Sequence, residues 1–262
     1  MKICVVSLYT PEIEEMGKIM EANRQQYCRK HGYGWRCPHK RLAPERHPMW
    51  SKLLILQQTI AEQKFDWIMW TDADSLVMNM DFRIEYILDQ VPSDVHLVVT
   101  KDRYYGFNSG QFFIRSCDWS YQLLKRAYEN HPELLDHWVR DQGAMRLEME
   151  KEPQHVLWLP KRLFNSYIHP VHGGEFHHGD FILHFAGLPK HRLLACMQRL
   201  QFEDGAVLVS KCRSQLHFVQ GLIGFGLLLC LPYVWSHKRY LPIWLICIVL
   251  CYFMCFAIIW MI

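Results

Sequence analysis

Apolar positions along the N-terminal part of the chain alternate between two periods. Lys2–Leu8 (KICVVSL) is a short β-branched run ending in Tyr9-Thr10-Pro11, the pattern of a buried strand that leads into a loop. Glu12 to His31 is a polar stretch of good helix formers stopped by Gly32. Tyr33–Cys37 returns as a second strand, and Trp50–Gln63 carries Leu53, Leu54, Leu56 and Ile60 at helical spacing. Trp67-Ile68-Met69-Trp70 is again strand-like and stops at Thr71-Asp72-Ala73-Asp74. Strand, helix, strand, helix, strand implies an α/β domain with parallel strands and right-handed crossovers, in which ligands collect at the carboxyl ends of the strands.

Further strands are predicted at His96–Thr100, Phe112–Arg115 and Phe181–Phe185, and helices at Trp119–Asn130 and Arg140–Lys151. Pro153–Gly179, rich in Pro, Gly and His, is expected to be loop and to form one wall of a cleft.

Charge changes the picture of the rest. The chain has 262 residues with 29 Lys plus Arg and 26 Asp plus Glu, and from Leu216 onward the only strong charges are Lys238 and Arg239. The sequence therefore divides into a charge-balanced domain, 1–215, and an almost uncharged tail, 216–262. Within the tail, 218–235 and 241–262 read as two transmembrane helices, because about 20 helical residues cross a bilayer core. A buried hydrophobic hairpin is the alternative. Trp235, Tyr240 and Trp244 fall where an interfacial aromatic belt would sit. MKICVVSLYT lacks the longer apolar region and cleavage site of a signal peptide, so the simplest topology leaves the domain cytosolic. Lys238 and Arg239 then lie on the far side, against the positive-inside tendency, and an orientation in a Golgi or ER membrane stays open. The near-neutral domain offers no basic surface for nucleic acid. Cys4, Cys28, Cys37, Cys117, Cys196 and Cys212 are widely spaced without a CxxC pair, which suggests neither a zinc site nor a disulfide framework.

Candidate chemistry starts at Asp72 and Asp74. Separated by one residue after a hydrophobic strand, they can converge on a divalent cation and its phosphate ligands. A lone DxD also occurs on solvated turns. Asn108-Ser109-Gly110 alone reads as a turn feeding a strand, and Asp141-Gln142 alone as a helix cap with a surface Gln. His184, the one imidazole of an apolar strand, reads alone as a core histidine unless a metal is involved.

In order, WxK at Trp50–Lys52, WTDAD at Trp70–Asp74, NSGQFFIR at Asn108–Arg115, DQGA at Asp141–Ala144, FNSY at Phe164–Tyr167 and GDFILHFAG at Gly179–Gly187 resemble the motif series of glycosyltransferase family 34. The resemblance covers nearly all of residues 1–192. It implies a GT-A fold, Rossmann-like with a mainly parallel sheet and flanking helices. It also implies a nucleotide-diphosphate sugar donor (UDP or GDP), Mn²⁺ or another divalent cation such as Mg²⁺, and transfer of a hexose or pentose to a glycan hydroxyl with retention.

Carried onto this chain, the resemblance makes Asp72, Asp74 and His184 metal ligands, with Asp141 and Gln142 beneath the anomeric carbon. Asn108, Ser109 and Gly110 line the donor sugar, and Lys190 and Lys52 add cations near the phosphates. Lys52 could equally be a helix-surface lysine. Strand geometry puts the base and ribose near Ser7 and Tyr9, and Asn165 with Asp180 supports the cleft. Where related plant enzymes have a second acidic residue before the Asp-Gln pair, this chain has Arg140. Two other classes stay open: a nucleotide-sugar hydrolase or nucleotidyltransferase, and a non-catalytic membrane scaffold.

Overall fold

The computed structural model describes residues 1–101, 106–167 and 175–200. The chain begins as predicted: β1 (Ile3–Val6), α1 (Glu14–His31), β2 (Gly34–Arg36), α2 (Ser51–Ala61) and β3 (Trp67–Thr71). β1 pairs in parallel with both β2 and β3. α1 ends where the sequence says it must. Gly32 takes φ +72, a left-handed conformation that costs glycine nothing, and its N–H caps the Cys28 carbonyl.

Beyond β3 the sheet is mixed. β6 (Asn108–Arg115) runs antiparallel to β3 and to β5 (Leu97–Thr100), while β7 (Val156–Leu159) pairs in parallel with β5. The order is β2-β1-β3-β6-β5-β7. Residues 101–107 are too few for the dozen-residue crossover that parallel neighbours require, so β6 has to run back against β5. A small second sheet, β4-β9-β8, is built from Ser75–Val77 (β4), Ser166–Tyr167 (β8) and Ile182–His184 (β9). The remaining helices are α3 (Glu85–Leu88), α4 (Asp118–Glu129), α5 (Arg140–Met149) and α6 (Lys190–Leu200).

The core occupies both faces of the large sheet, as the two-residue period of its strands requires. Cys4, Val6, Ile68, Trp70, Phe112 and Ile114 face a cluster completed by Leu53 and Leu56 of α2, Leu123 and Leu124 of α4, and Ala144 and Met145 of α5. Their strand neighbours Ile3, Val5, Trp67, Met69 and Phe113 face Tyr27 and Cys28 of α1 together with Phe181 and Ile182. Each fully buried large apolar side chain contributes about 1.5–3 kcal/mol before entropy is counted.

Two expectations are corrected. The stretch 153–179 contains β7 and β8: the run Val156-Leu157-Trp158-Leu159, flanked by Pro153 and Pro160, pairs with the free edge of β5. β6 begins at Asn108, so Asn108-Ser109-Gly110 is strand and not the turn before it. The predicted spans 218–235 and 241–262, and Cys212, lie outside the described residues. No described helix is long and apolar enough to cross a membrane. Among the described residues, Cys4, Cys28, Cys37, Cys117 and Cys196 form no disulfide.

Candidate active site

β3 ends at Thr71 and the chain turns through Asp72, Ala73 and Asp74 into β4. His184 ends β9, which pairs antiparallel with β4, with Ser75 opposite His184. This pairing closes Asp72, Asp74 and His184 into a group whose ligand atoms all lie within 4.8 Å of one another. Asp74 Oδ1 is 3.2 Å from His184 Nε2. The two carboxylates keep 27% and 28% of their side-chain surface while the imidazole keeps 3%, so the group is open to solvent from the carboxylate side only. Two carboxylates and an imidazole, with room for phosphate oxygens, fit Mn²⁺ well and Mg²⁺ less well, because Mg²⁺ prefers all-oxygen octahedra.

The turn is tied down from several directions. Asp72 N–H donates to the Gly110 carbonyl at 2.8 Å, and Phe185 N–H donates to the Asp74 carbonyl at 2.9 Å. Trp70 Nε1–H donates to Asp72 Oδ1 at 2.7 Å, and Ser75 Oγ donates to the Asp72 carbonyl at 2.7 Å. Burial pushes the Asp72 carboxyl above its usual range, with the Lys52 charge offsetting only part. Burial acts on Asp74 in the same sense, but the facing His184, when it carries a proton, outweighs it and holds that carboxyl low.

Lys52 is not a surface lysine. Its side chain on the first turn of α2 is only 3% exposed, and its ammonium lies 2.9 Å from Asp141 Oδ2 and 3.4 Å from Asp72 Oδ1. It also donates to the Ser109 carbonyl at 3.0 Å and to Ser109 Oγ at 3.1 Å. Burial disfavours the charge, and Asp141 with Asp72 more than restore it, holding the ammonium above its ordinary pKa. One cation thus joins three of the motifs: the DxD, the NSG strand and the Asp-Gln pair.

Asp141 is fully buried and Gln142 is half-buried. Gln142 Oε1 accepts from Ser109 N–H at 3.0 Å, and Ser109 Oγ donates to Asp141 Oδ2 at 3.3 Å. The pair therefore braces the NSG strand from below. Arg140, just before it, adopts φ +35 at the start of α5, a region costly for a side-chain-bearing residue.

Tyr9 and Ser7 lie beyond the end of β1 but are covered. A Cβ on Gly17 would meet Tyr9 Cγ at 2.3 Å, so α1 seals one face of the ring, and His39 stacks on it with centroids 4.3 Å apart. The exposed ring at this strand end is His39, at 52%. Glu21, Cys37 and His39 also bring ligand atoms within 4.8 Å of one another there. Burial pushes the Cys37 thiol up to about 12, which keeps it protonated and a poor ligand. Ser7 is fully buried. Lys190 opens α6. Asp180 pairs with Arg162 at 2.9 Å and accepts from Ser166 Oγ at 2.8 Å, which fixes the entry to β8.

One residue under the site has no signal in the sequence beyond its place in a polar helix. Arg24 of α1 is fully buried, and its Nη2 donates to Thr71 Oγ1 at 2.8 Å and to Ser75 Oγ at 2.7 Å, gripping the DxD turn at both ends. The neighbouring Asn23 pairs with Val77 in both senses, through Nδ2 to its carbonyl at 2.9 Å and through Oδ1 from its N–H at 2.8 Å.

The profile of the galactosyl transferase GMA12/MNN10 family matches residues 6–91 and 85–192, which span every motif just described up to Gly187. The chain belongs to this family. It is 28% identical over 206 residues to the alpha-1,2-galactosyltransferase of Schizosaccharomyces pombe, covering 63% of this chain and 54% of that protein. It is 26% identical over 184 residues to the probable alpha-1,6-mannosyltransferase MNN10 of Saccharomyces cerevisiae, covering 55% and 46%. The chain thus spans about half the length of these curated relatives. Among solved structures, a glycosyltransferase involved in the glycosylation of the major capsid of PBCV-1 superposes with a TM-score of 0.65 at 17% identity, over 76% of this chain and 100% of that one. The GlyE glycosyltransferase of Streptococcus pneumoniae TIGR4 gives 0.51 at 14% identity, over 82% and 64%. At such identities the likeness speaks to fold alone, and the fold is GT-A-like with a mixed α/β sheet.

Proposed function

We propose that this member of the GMA12/MNN10 family is a metal-dependent, retaining glycosyltransferase that moves a hexose or pentose from a UDP- or GDP-sugar to a glycan hydroxyl. The observation that carries this reading is the convergence of Asp72, Asp74 and His184 within 4.8 Å at the end of β3. Those residues would hold Mn²⁺, which when bound stabilises the negative charge of a departing diphosphate. The names of the relatives, a galactosyltransferase and a probable mannosyltransferase, favour a hexose.

In this reading Asn108, Ser109 and Gly110 form the floor under the donor sugar, kept in register by Lys52 from one side and by Gln142 from the other. Gln142 Oε1 retains a second lone pair for the electron-poor anomeric carbon. Asp141, being buried, acts through Lys52 and Ser109 and not by touching a sugar. The acceptor oxygen bonds to the anomeric carbon on the face from which the diphosphate leaves, and its proton passes to the departing phosphate oxygen. The tail at 218–235 and 241–262 would hold the enzyme at a membrane.

The test is turnover of UDP-galactose, UDP-glucose, UDP-xylose and GDP-mannose by the full-length chain, with and without glycan acceptors. A larger glycan together with free nucleoside diphosphate is expected, dependent on Mn²⁺ and lost in Asp74→Ala. Nucleotide release that is indifferent to acceptor would mark a hydrolase, and full activity in chelator would overturn the metal assignment.

A further inference from the structure

His184 can present either ring nitrogen as a lone pair, and the hydrogen bonds around it leave only one choice. One polarity is fixed outright, that of the backbone N–H of Gly110. It donates to Asn108 at 3.0 Å, so the atom that accepts is the amide oxygen Oδ1. The Asn165 atom 2.9 Å from that same oxygen must then be a donor, its Nδ2, which also reaches Thr100 Oγ1 at 2.9 Å. The other end of the Asn165 amide is therefore a carbonyl oxygen, and it lies 2.7 Å from His184 Nδ1. Nδ1 must carry the ring proton, and in the neutral ring Nε2 is the lone pair.

That lone pair faces Asp74 Oδ1 at 3.2 Å. Two acceptors at this distance repel unless a cation lies between or beside them. A proton on Nε2 or a metal ion held by both resolves the conflict, and either one leaves Nδ1–H donating to Asn165. The ring has little freedom to escape. Tyr167 packs edge-on against it with centroids 5.3 Å apart, and the His184 Cε1 is 2.4 Å from where a Cβ on Gly110 would lie.

We infer that Asn165, held by Asn108 and Thr100, is a positioning residue that fixes His184 as its Nδ1-protonated tautomer and aims the Nε2 lone pair at Asp72 and Asp74. Asn165 is fully buried between the two sheets, with Thr100 and Asn108 in the large one and His184 in the small one. It thus connects the NSG strand to the ligand set as well as orienting a ring. Outer partners of this kind raise the affinity of a ligating histidine. The inference rests on the metal reading for its purpose, but its content concerns the metal-free protein.

The deciding measurement is a two-bond ¹H–¹⁵N correlation on the metal-free, full-length chain with ¹⁵N-labelled histidine, at a pH where imidazoles are neutral, with His184→Gln assigning the signal. A proton on Nδ1 is expected in the wild type, in the neutral ring or in an imidazolium whose second proton faces Asp74. Asn165→Leu should lose that pattern and bind Mn²⁺ about 10- to 100-fold more weakly in a direct titration. Asn165→Asp, which retains an acceptor facing Nδ1 while its second oxygen opposes the acceptor Asn108 Oδ1, should keep the Nδ1 proton at a cost in stability. A neutral ring protonated on Nε2 alone in the wild type would overturn the inference, with no variant needed. So would an Asn165→Leu protein with an unchanged tautomer and an Mn²⁺ affinity within twofold. Failure of the wild type to bind Mn²⁺ at all would remove the metal reading while leaving the tautomer result to stand or fall alone.

Discussion

Lys52 and Asp141 form an ion pair 2.9 Å long with 3% and 0% of their side chains exposed, joining the first turn of α2 to the first turn of α5. Breaking such a pair strands a charge in the interior, at a cost of about 3–5 kcal/mol, whereas replacing both partners by apolar groups costs far less. Urea unfolding should therefore show Lys52→Met and Asp141→Leu each strongly destabilised, and the double variant less so than their sum. Additive losses would show that the two side chains act independently.

Gly110 is required by the imidazole beside it. With a Cβ only 2.4 Å from His184 Cε1, Gly110→Ala must displace the ring or the strand. Overpacking of this sort costs about 1–3 kcal/mol. Mn²⁺ affinity should fall along with the melting temperature, and Gly110→Ala protein that binds Mn²⁺ as well as wild type would show that the ring position is not critical.

Arg24 holds the DxD turn through Thr71 and Ser75. Truncation to Ala leaves a cavity and removes the guanidinium donor from two hydroxyls that keep only each other, the Asp72 carbonyl and Gln111, a loss of about 3–5 kcal/mol. Arg24→Lys fills most of the volume but lacks the planar fork, so it should lose less stability and still weaken Mn²⁺ binding. Calorimetry of both variants, with and without Mn²⁺, separates the two effects.

Acid sensitivity should arise at Glu148, a fully buried carboxylate between α4 and α5. Burial alone would raise its pKa, but Lys151 at 2.6 Å, His131 at 2.8 Å and Arg126 at 3.0 Å more than compensate and hold it below its ordinary 4.5. A carboxyl depressed on folding contributes stability that is fully present above its unfolded value and is lost as pH falls through its folded value. Melting temperature should drop as pH falls below about 4.5 in the wild type. Glu148→Gln should be less stable at pH 7 and show a flatter acid limb.

The sequence by itself determined the strand-helix-strand-helix-strand opening, the stop at Gly32, the DxD at a strand end and the order of the family's motifs. Those features are local: a two-residue or helical period, a left-handed cap and a run of residue types can be read without knowing what lies across the sheet. The same locality explains what stayed hidden. Val156–Leu159 looked like loop because its short run is a strand only when the edge of β5 is there to pair with it. Asn108-Ser109-Gly110 looked like a turn because its backbone partners, Thr100 and the Asp72 N–H, belong to other elements of the fold. Lys52 could be exposed or buried on helical spacing alone, and Arg24 was one cation among many on a polar helix. Only the tertiary structure decided that Lys52 meets Asp141, that Arg24 lies beneath the DxD turn, and that Asn165 meets His184. Each is a hydrogen bond or ion pair between elements far apart in sequence, and its strength comes from a water-poor interior that exists only once the chain has folded.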